Sequence, residues 1–110
     1  MALKKSLLQN SVPIFAALGD ATRLRIVAVL CAGGALSIAQ LTAGTDLTRQ
    51  AVSKHLRVLA GAGLVHDVKT GRERLWQFAP AQLEEARRSL QLIEEQWDHA
   101  LLRLQLAVER

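Results

Sequence analysis

The protein has a single cysteine, Cys31, in 110 residues. One thiol excludes an intramolecular disulfide framework and fits a reducing cytoplasm. No apolar run is long enough to span a membrane. Residues 1–10 carry Lys4 and Lys5 but neither an apolar h-region nor a small-residue cleavage site, so no signal peptide is expected. Enzymatic constellations are also missing. There is no nucleophile with a paired base, no carboxylate pair with matched flanks and no phosphate-binding glycine loop. Gly33-Gly34 ends a helical pattern and is not a P-loop. The expectation is a cytoplasmic protein that is neither an enzyme nor membrane-bound and has no cofactor. Half the residues are hydrophobic, enough for one core, and residues 1–110 are expected to form a single domain.

The charge is modest in size but uneven in place. The formal net charge is +4. Between Thr48 and Arg74 lie six cations (Arg49, Lys54, Arg57, Lys69, Arg72, Arg74) against two acids (Asp67, Glu73). The rest of the sequence holds eight of each sign, so the whole excess falls on that segment. A local basic excess is the footprint of a nucleic-acid surface.

That segment overlaps a pattern of two short helices joined by a turn, over residues 37–60. Ser37 and Gln40 form a capping box. Ile38 and Leu41 give the first helix an apolar face, and Gly44 is a natural stop. Thr48 is placed to cap the second helix, over about residues 49–60. Val52, Leu56 and Leu59 make its core seam. Arg49, Gln50, Ser53, Lys54 and Arg57 make the opposite stripe, which has no acid in it. These side chains suit guanine, adenine and phosphate. A helix-turn-helix sets such a helix in the major groove, with its first residues nearest the bases. His55 lies in the same run, either as a phosphate neighbour or as a satisfied helix histidine.

Upstream, residues 1–10 are weakly amphipathic and Ser11-Val12-Pro13 breaks the pattern. Pro13 then suits the first turn of a new helix lined by Ile14, Phe15 and Leu18. Asp20 caps a helix over about 21–32, and Ala35-Leu36 is too short to assign, a single extended segment into Ser37 being one reading. Cys31 is expected to be a buried small hydrophobe. Downstream, Leu64–Val68 and Arg74–Phe78 read as two strands joined by Lys69-Thr70-Gly71-Arg72-Glu73, a wing over 64–78. Lys69, Arg72 and Arg74 sit at its tip, in reach of phosphates. Trp76 and Phe78 are expected to pack inward, not to stack on bases. Residues 81–108 lack Gly and Pro and predict one long helix with a heptad seam. Leu83, Leu90, Trp97 and Leu104 hold one position, and Ala86, Ile93, Ala100 and Ala107 hold another. Leu101 and Val108 widen the stripe. One small domain cannot easily cover it, and a second copy of the protein is the simplest partner.

Phe15-Ala-Ala-Leu-Gly-Asp-Ala-Thr-Arg-Leu-Arg-Ile26, Gln50-Ala-Val-Ser-Lys-His-Leu56-Arg-Val-Leu59, Gly63-Leu-Val65 and the basic wing together resemble the ArsR (ArsR/SmtB-type) bacterial transcriptional regulators. The match runs over about residues 12–80. One departure is Ala21, where the family often has proline. The resemblance implies a mostly α, winged helix-turn-helix fold and a homodimer joined through residues 1–19 and 81–108. Phe15, Leu83, Leu90, Ile93, Trp97, Leu101 and Leu104 would then lie in the interface. It also implies double-stranded DNA as partner, bound through Thr48, Arg49, Gln50, Ser53, Lys54, His55, Arg57, Lys69, Arg72 and Arg74, and repression by operator occupancy. Metal-sensing relatives carry a C-x-C pair that aligns with Ser37 and Ala39, where no thiolate is available. Others use a D-x-H on the last helix, and here Asp98 is followed by His99 and Ala100. The sequence therefore resembles the subgroup without metal motifs, several of whose members are autoregulators. No residue pattern specifies a small-molecule inducer. A winged-helix protein-interaction module and a thiol-responsive regulator acting through Cys31 are the alternatives.

Overall fold

The computed structural model describes residues 5–43 and 45–109. In sequence order these form α1 (Lys5–Leu18), α2 (Ala21–Gly33), α3 (Ile38–Thr42), α4 (Arg49–Gly61), β1 (Val65–Thr70), β2 (Glu73–Phe78) and α5 (Pro80–Val108). The expected stop at Gly44 and the first four residues of the weakly amphipathic segment 1–10 lie outside the described residues.

Local sequence chemistry sets most helix ends. The Asp20 carboxylate accepts from the Arg23 amide at 3.0 Å and starts α2. Ser37 and Gln40 close both halves of their capping box on α3. Thr48 Oγ1 accepts from the Ala51 amide at 3.1 Å and starts α4. Pro80 fills the first turn of α5, where a missing amide hydrogen costs nothing. The end of α4 is a Schellman turn: the Gly63 amide donates to the Ala60 carbonyl and the Leu64 amide to that of Leu59. This geometry needs a left-handed residue, and Gly63 has φ +76°. Leu64 is thereby dropped into the core, fully buried.

The core gathers Ile14 and Ala17 from α1, Ile26, Val27 and Leu30 from α2, Leu41 from α3, and Val52, Leu56 and Leu59 from α4, with Leu64, Val65, Trp76 and Ala86. α1 lies against the first half of α5. Two buried serines pin them: Ser11 donates to the Leu7 carbonyl at 3.0 Å, and its oxygen lies 2.5 Å from that of Ser89.

Two expectations need correction here. The helix does not break at Ser11-Val12-Pro13, because α1 is a single helix with Pro13 inside it. Proline removes one helical hydrogen bond and crowds the carbonyl four residues back. Both Pro13 and Gln9, which owns that carbonyl, are exposed, so water can satisfy the orphan. The opposite face (Ser11, Ile14, Ala17) is buried and holds the helix together across the proline. Cys31 is exposed on α2, not buried. The buried face of α2 is Ile26, Val27 and Leu30, and one residue further turns the helix by about 100°.

The wing is tighter than the sequence predicts. β1 and β2 pair antiparallel from Val65↔Phe78 to Thr70↔Glu73, leaving only Gly71-Arg72 as the loop. Gly71 has φ +65° and no non-glycine residue among those described has a positive φ, the pattern of a type II′ hairpin turn. Leu36 joins the other edge of β2 as an isolated bridge to Trp76. The two residues exchange backbone hydrogen bonds of 2.7 and 2.9 Å, so Leu36, in a segment too short to assign from sequence, forms a one-residue third strand.

Leu56 has no exposed surface and sits where α4 meets the core. Leu56→Ala is expected to lower unfolding free energy by about 2–5 kcal/mol in urea denaturation. Val58→Ala, on the outer side of the same helix, should change it by less than about 0.5 kcal/mol.

Candidate nucleic-acid interface

The recognition surface follows from the burial of α4. Val52, Leu56 and Leu59 are its buried residues, so the side chains on the far side must face out. Arg49, Gln50, Lys54 and Arg57 are exposed, and Ser53 is half-buried at the edge of the stripe. Among the described residues none of these cations has a carboxylate partner. The first turn of α4 holds no acid, so its exposed amide ends keep their positive end of the helix dipole. Thr48 spends its oxygen lone pair on the cap and keeps its hydroxyl hydrogen free to donate.

His55 does not share this stripe. Two residues along a helix amount to a turn of about 200°, so His55 projects away from both Ser53 and Arg57. Its Nδ1 lies 4.0 Å from Asp20 Oδ2 at the start of α2. Of the two readings open for this residue, the geometry favours the helix histidine set between elements. Asp20 itself is held below its ordinary carboxylate value, chiefly by the hydrogen bond from the Arg23 backbone, with the charges of Arg23 and His55 adding to it.

The three wing cations are not equivalent. Arg72 occupies the turn, and Lys69 and Arg74 face each other in the second pair from it. Like charges opposed across a ladder repel. Arg74 is drawn off diagonally to Asp67, with Nε 2.7 Å from Oδ2, and its guanidinium lies 5.9 Å from the centroid of the Trp76 ring. Lys69 and Arg74 therefore both lie on the strands below the tip, which corrects their expected place, and Arg74 is already paired. Lys69 and Arg72 are exposed with no carboxylate partner among the described residues. Trp76 is buried and Phe78 packs on the core, as expected.

Two positioning groups were not foreseen. Arg23 reaches back to the end of α1, with Nε 2.6 Å from the Ala17 carbonyl and a second nitrogen 3.3 Å from that of Ala16. Its guanidinium thus satisfies the last carbonyls of α1 and closes the α1–α2 corner. An arginine three residues past a helix-starting Asp is a usable signal for this, but it needs the corner angle to be known. The Ser11–Ser89 contact spans 78 residues and has no local signature.

On α5 the apolar stripe divides in two. Ala86 and Ser89 are buried within the protein's own fold, and Leu83 packs partly on its own core. Leu83 is thus an expected interface residue that packs on the protein's own core. Beyond it Leu90, Ile93, Trp97, Leu101 and Leu104 are bare, with Trp97 61% exposed, and Phe15 on α1 is 37% exposed. None of the described helices is long and apolar enough to cross a membrane.

The Asp20 cap has a pH signature. A carboxyl held below its ordinary 3.8 adds stability that is full above that value and is lost as pH falls through the folded value. Asp20→Asn keeps a capping oxygen but not the charge. Its stability deficit against wild type should be present at and above about pH 5 and should shrink on further acidification, as read by urea unfolding across pH.

Comparisons with known proteins agree with this geometry. A family model described as a helix-turn-helix domain matches residues 18–68. The HTH-type transcriptional regulator Rv2034 of Mycobacterium tuberculosis is 40% identical over 85 residues, covering 77% of this chain and 76% of its own. The structure of an ArsR-like transcriptional regulator from Rhodococcus sp. RHA1 superposes with a TM-score of 0.78 at 34% identity, over 90% of this chain and 92% of that one. A Mycobacterium bovis protein, described as a homodimeric winged helix-turn-helix DNA-binding domain and possible ArsR-family regulator, gives a TM-score of 0.64 at 25% identity, over 92% and 90%. These relatives are transcriptional regulators, not enzymes. With its helix-turn-helix, its hairpin wing and this degree of likeness, the protein belongs to the ArsR family of winged helix-turn-helix, DNA-binding transcriptional regulators.

Proposed function

We propose that the protein is a homodimeric repressor that binds a two-fold symmetric operator and acts by occupying it. The observation that carries this reading is the unpaired, acid-free stripe of α4 above a fully buried seam. Arg49 and Gln50, at the start of α4, are assigned to base edges, and Lys54 and Arg57 to phosphates flanking the groove. Thr48 and Ser53 add hydroxyl donors. Lys69 and Arg72 reach the neighbouring backbone from the wing, with Arg74 and His55 placing the wing and the helix without touching DNA.

The dimer rests on the bare half of α5. Residues 90, 93, 97, 101, 104 and 108 recur at intervals of three and four, the spacing of a helix–helix seam. An exposed tryptophan among leucines is costly to leave in water. The M. bovis relative is described as homodimeric, which supports a dimer here. A two-fold axis through α5 presents two copies of α4 to successive major grooves, so the operator is expected to be palindromic. Repression of its own promoter is the simplest circuit for such a protein.

The test is fluorescence anisotropy against the DNA upstream of its own gene and against a random duplex, over a salt series. Selective binding that weakens steeply with salt is expected, because each neutralised phosphate releases counterions; equal affinity for both duplexes at every salt sinks the operator reading. Arg49→Ala or Gln50→Ala should each cost about 1–3 kcal/mol and relax base preference, whereas Arg72→Ala should weaken all duplexes alike and lower the salt slope by about one unit. In sedimentation, Ile93→Glu with Trp97→Glu should yield a folded monomer with operator affinity reduced at least about tenfold; a dimer that persists would show that α5 is not the interface.

A further inference from the structure

Beneath the turn of the helix-turn-helix lies a cleft of about 140 Å³, lined from α2 (Thr22, Arg25, Ile26, Val29), α3 (Gln40, Leu41), the turn (Ala43, Thr45, Leu47) and α4 (Val52). Its floor is core: Ile26, Leu41 and Val52 are all buried. Its rim is polar. Of the rim groups, Gln40 Oε1 is taken by the Ser37 amide and the Thr45 hydroxyl by the Thr42 carbonyl. Arg25 is exposed and has no carboxylate partner among the described residues. The cleft therefore offers an apolar floor and, in Arg25, one lining cation without a carboxylate partner among the described residues.

We infer that this cleft is a binding site for a small aromatic or short aliphatic carboxylate, with the apolar end on Ile26, Leu41 and Val52 and the carboxylate on Arg25. Size decides the class. An apolar cavity of about 150 Å³ accepts a benzene ring, so a single ring or a short alkyl group matches the volume of this one. Charge decides the head group. Guanidinium pairs with carboxylate through two parallel hydrogen bonds, and Arg25 is the one cation on the lining.

The location gives such a ligand a consequence for DNA, and this part rests on the operator-binding reading. The walls belong to the elements that set the pitch of α4 against α2, and Val52 lies one turn from Arg49. A bound carboxylate adds a negative charge beside the basic stripe, where it opposes the phosphates. A ligand that binds here lowers operator affinity, and operator DNA lowers affinity for the ligand by the same factor.

The experiment uses the full-length protein, benzoate as probe, benzyl alcohol as its neutral counterpart, and chloride at matched ionic strength. Amide NMR shifts on benzoate addition are expected at Thr22, Val29, Leu41, Thr45 and Leu47 and not on α5. Arg25→Gln should weaken benzoate binding at least about tenfold while sparing the weaker binding of benzyl alcohol. Val29→Phe, at the half-open rim, should weaken both probes without unfolding the protein. Operator anisotropy should fall with benzoate beyond the effect of matched chloride, in wild type but not in Arg25→Gln. No cleft shifts at millimolar benzoate, or identical shifts in both variants, overturns the site. A protein that binds benzoate in the cleft but shows no duplex preference overturns the operator reading alone. One that binds its operator and ignores benzoate overturns the cleft alone.

Discussion

The burial of Val52, Leu56 and Leu59 is the contact on which the rest depends. These side chains fix the rotation of α4 about its own axis. A helix that commits one face to a core has no freedom left in the direction of the other. Turning α4 by one residue would draw His55 or Ala60 into the core and swing Arg57 off the outer face. The stripe of Arg49, Gln50, Lys54 and Arg57 is thus aimed by hydrophobic burial on the opposite side of the helix. The Schellman turn at Gly63 extends the same constraint, since it places Leu64 in the core and sets where the wing begins.

Electrostatics then acts on a surface already fixed. Most acids that could quench the basic segment are kept elsewhere. Asp20 is spent on capping α2, and Glu84 pairs with Arg87 on α5. Asp67 is the exception, and it pairs with Arg74 on the wing. What remains is a small number of free cations on two adjoining elements, so a net charge as low as +4 is compatible with a strong local field.

Much of this is legible in the sequence because the signals are local. Caps at Asp20, Ser37 and Thr48 act over three residues, and the α4 seam over two turns. The readings that fail depend on distant partners. Pro13 looks like a helix start when taken alone, and continues a helix because α5, at the other end of the sequence, supplies Ser89 and a covered face. The exposure of Cys31 is hidden because the rotation of α2 is set by α1, α4 and β2 together. His55 cannot be assigned until α2 is placed beside it. The wing loop reads longer than it is because Thr70 and Glu73 pair only through the tight turn at Gly71. The α2–α3–α4 cleft leaves no trace in the sequence, since it is defined by the space between side chains and not by their identity.

The Leu36–Trp76 bridge joins the linker before α3 to the inner strand of the wing through two backbone hydrogen bonds. A free hairpin would lose conformational entropy on meeting a partner surface, at about 1–2 kcal/mol for each residue it orders. Here most of that ordering has already occurred at folding, and the wing base is part of the same rigid body as the helix-turn-helix. The spacing between helix and wing therefore acts as a ruler set by the fold and not by the molecule it meets.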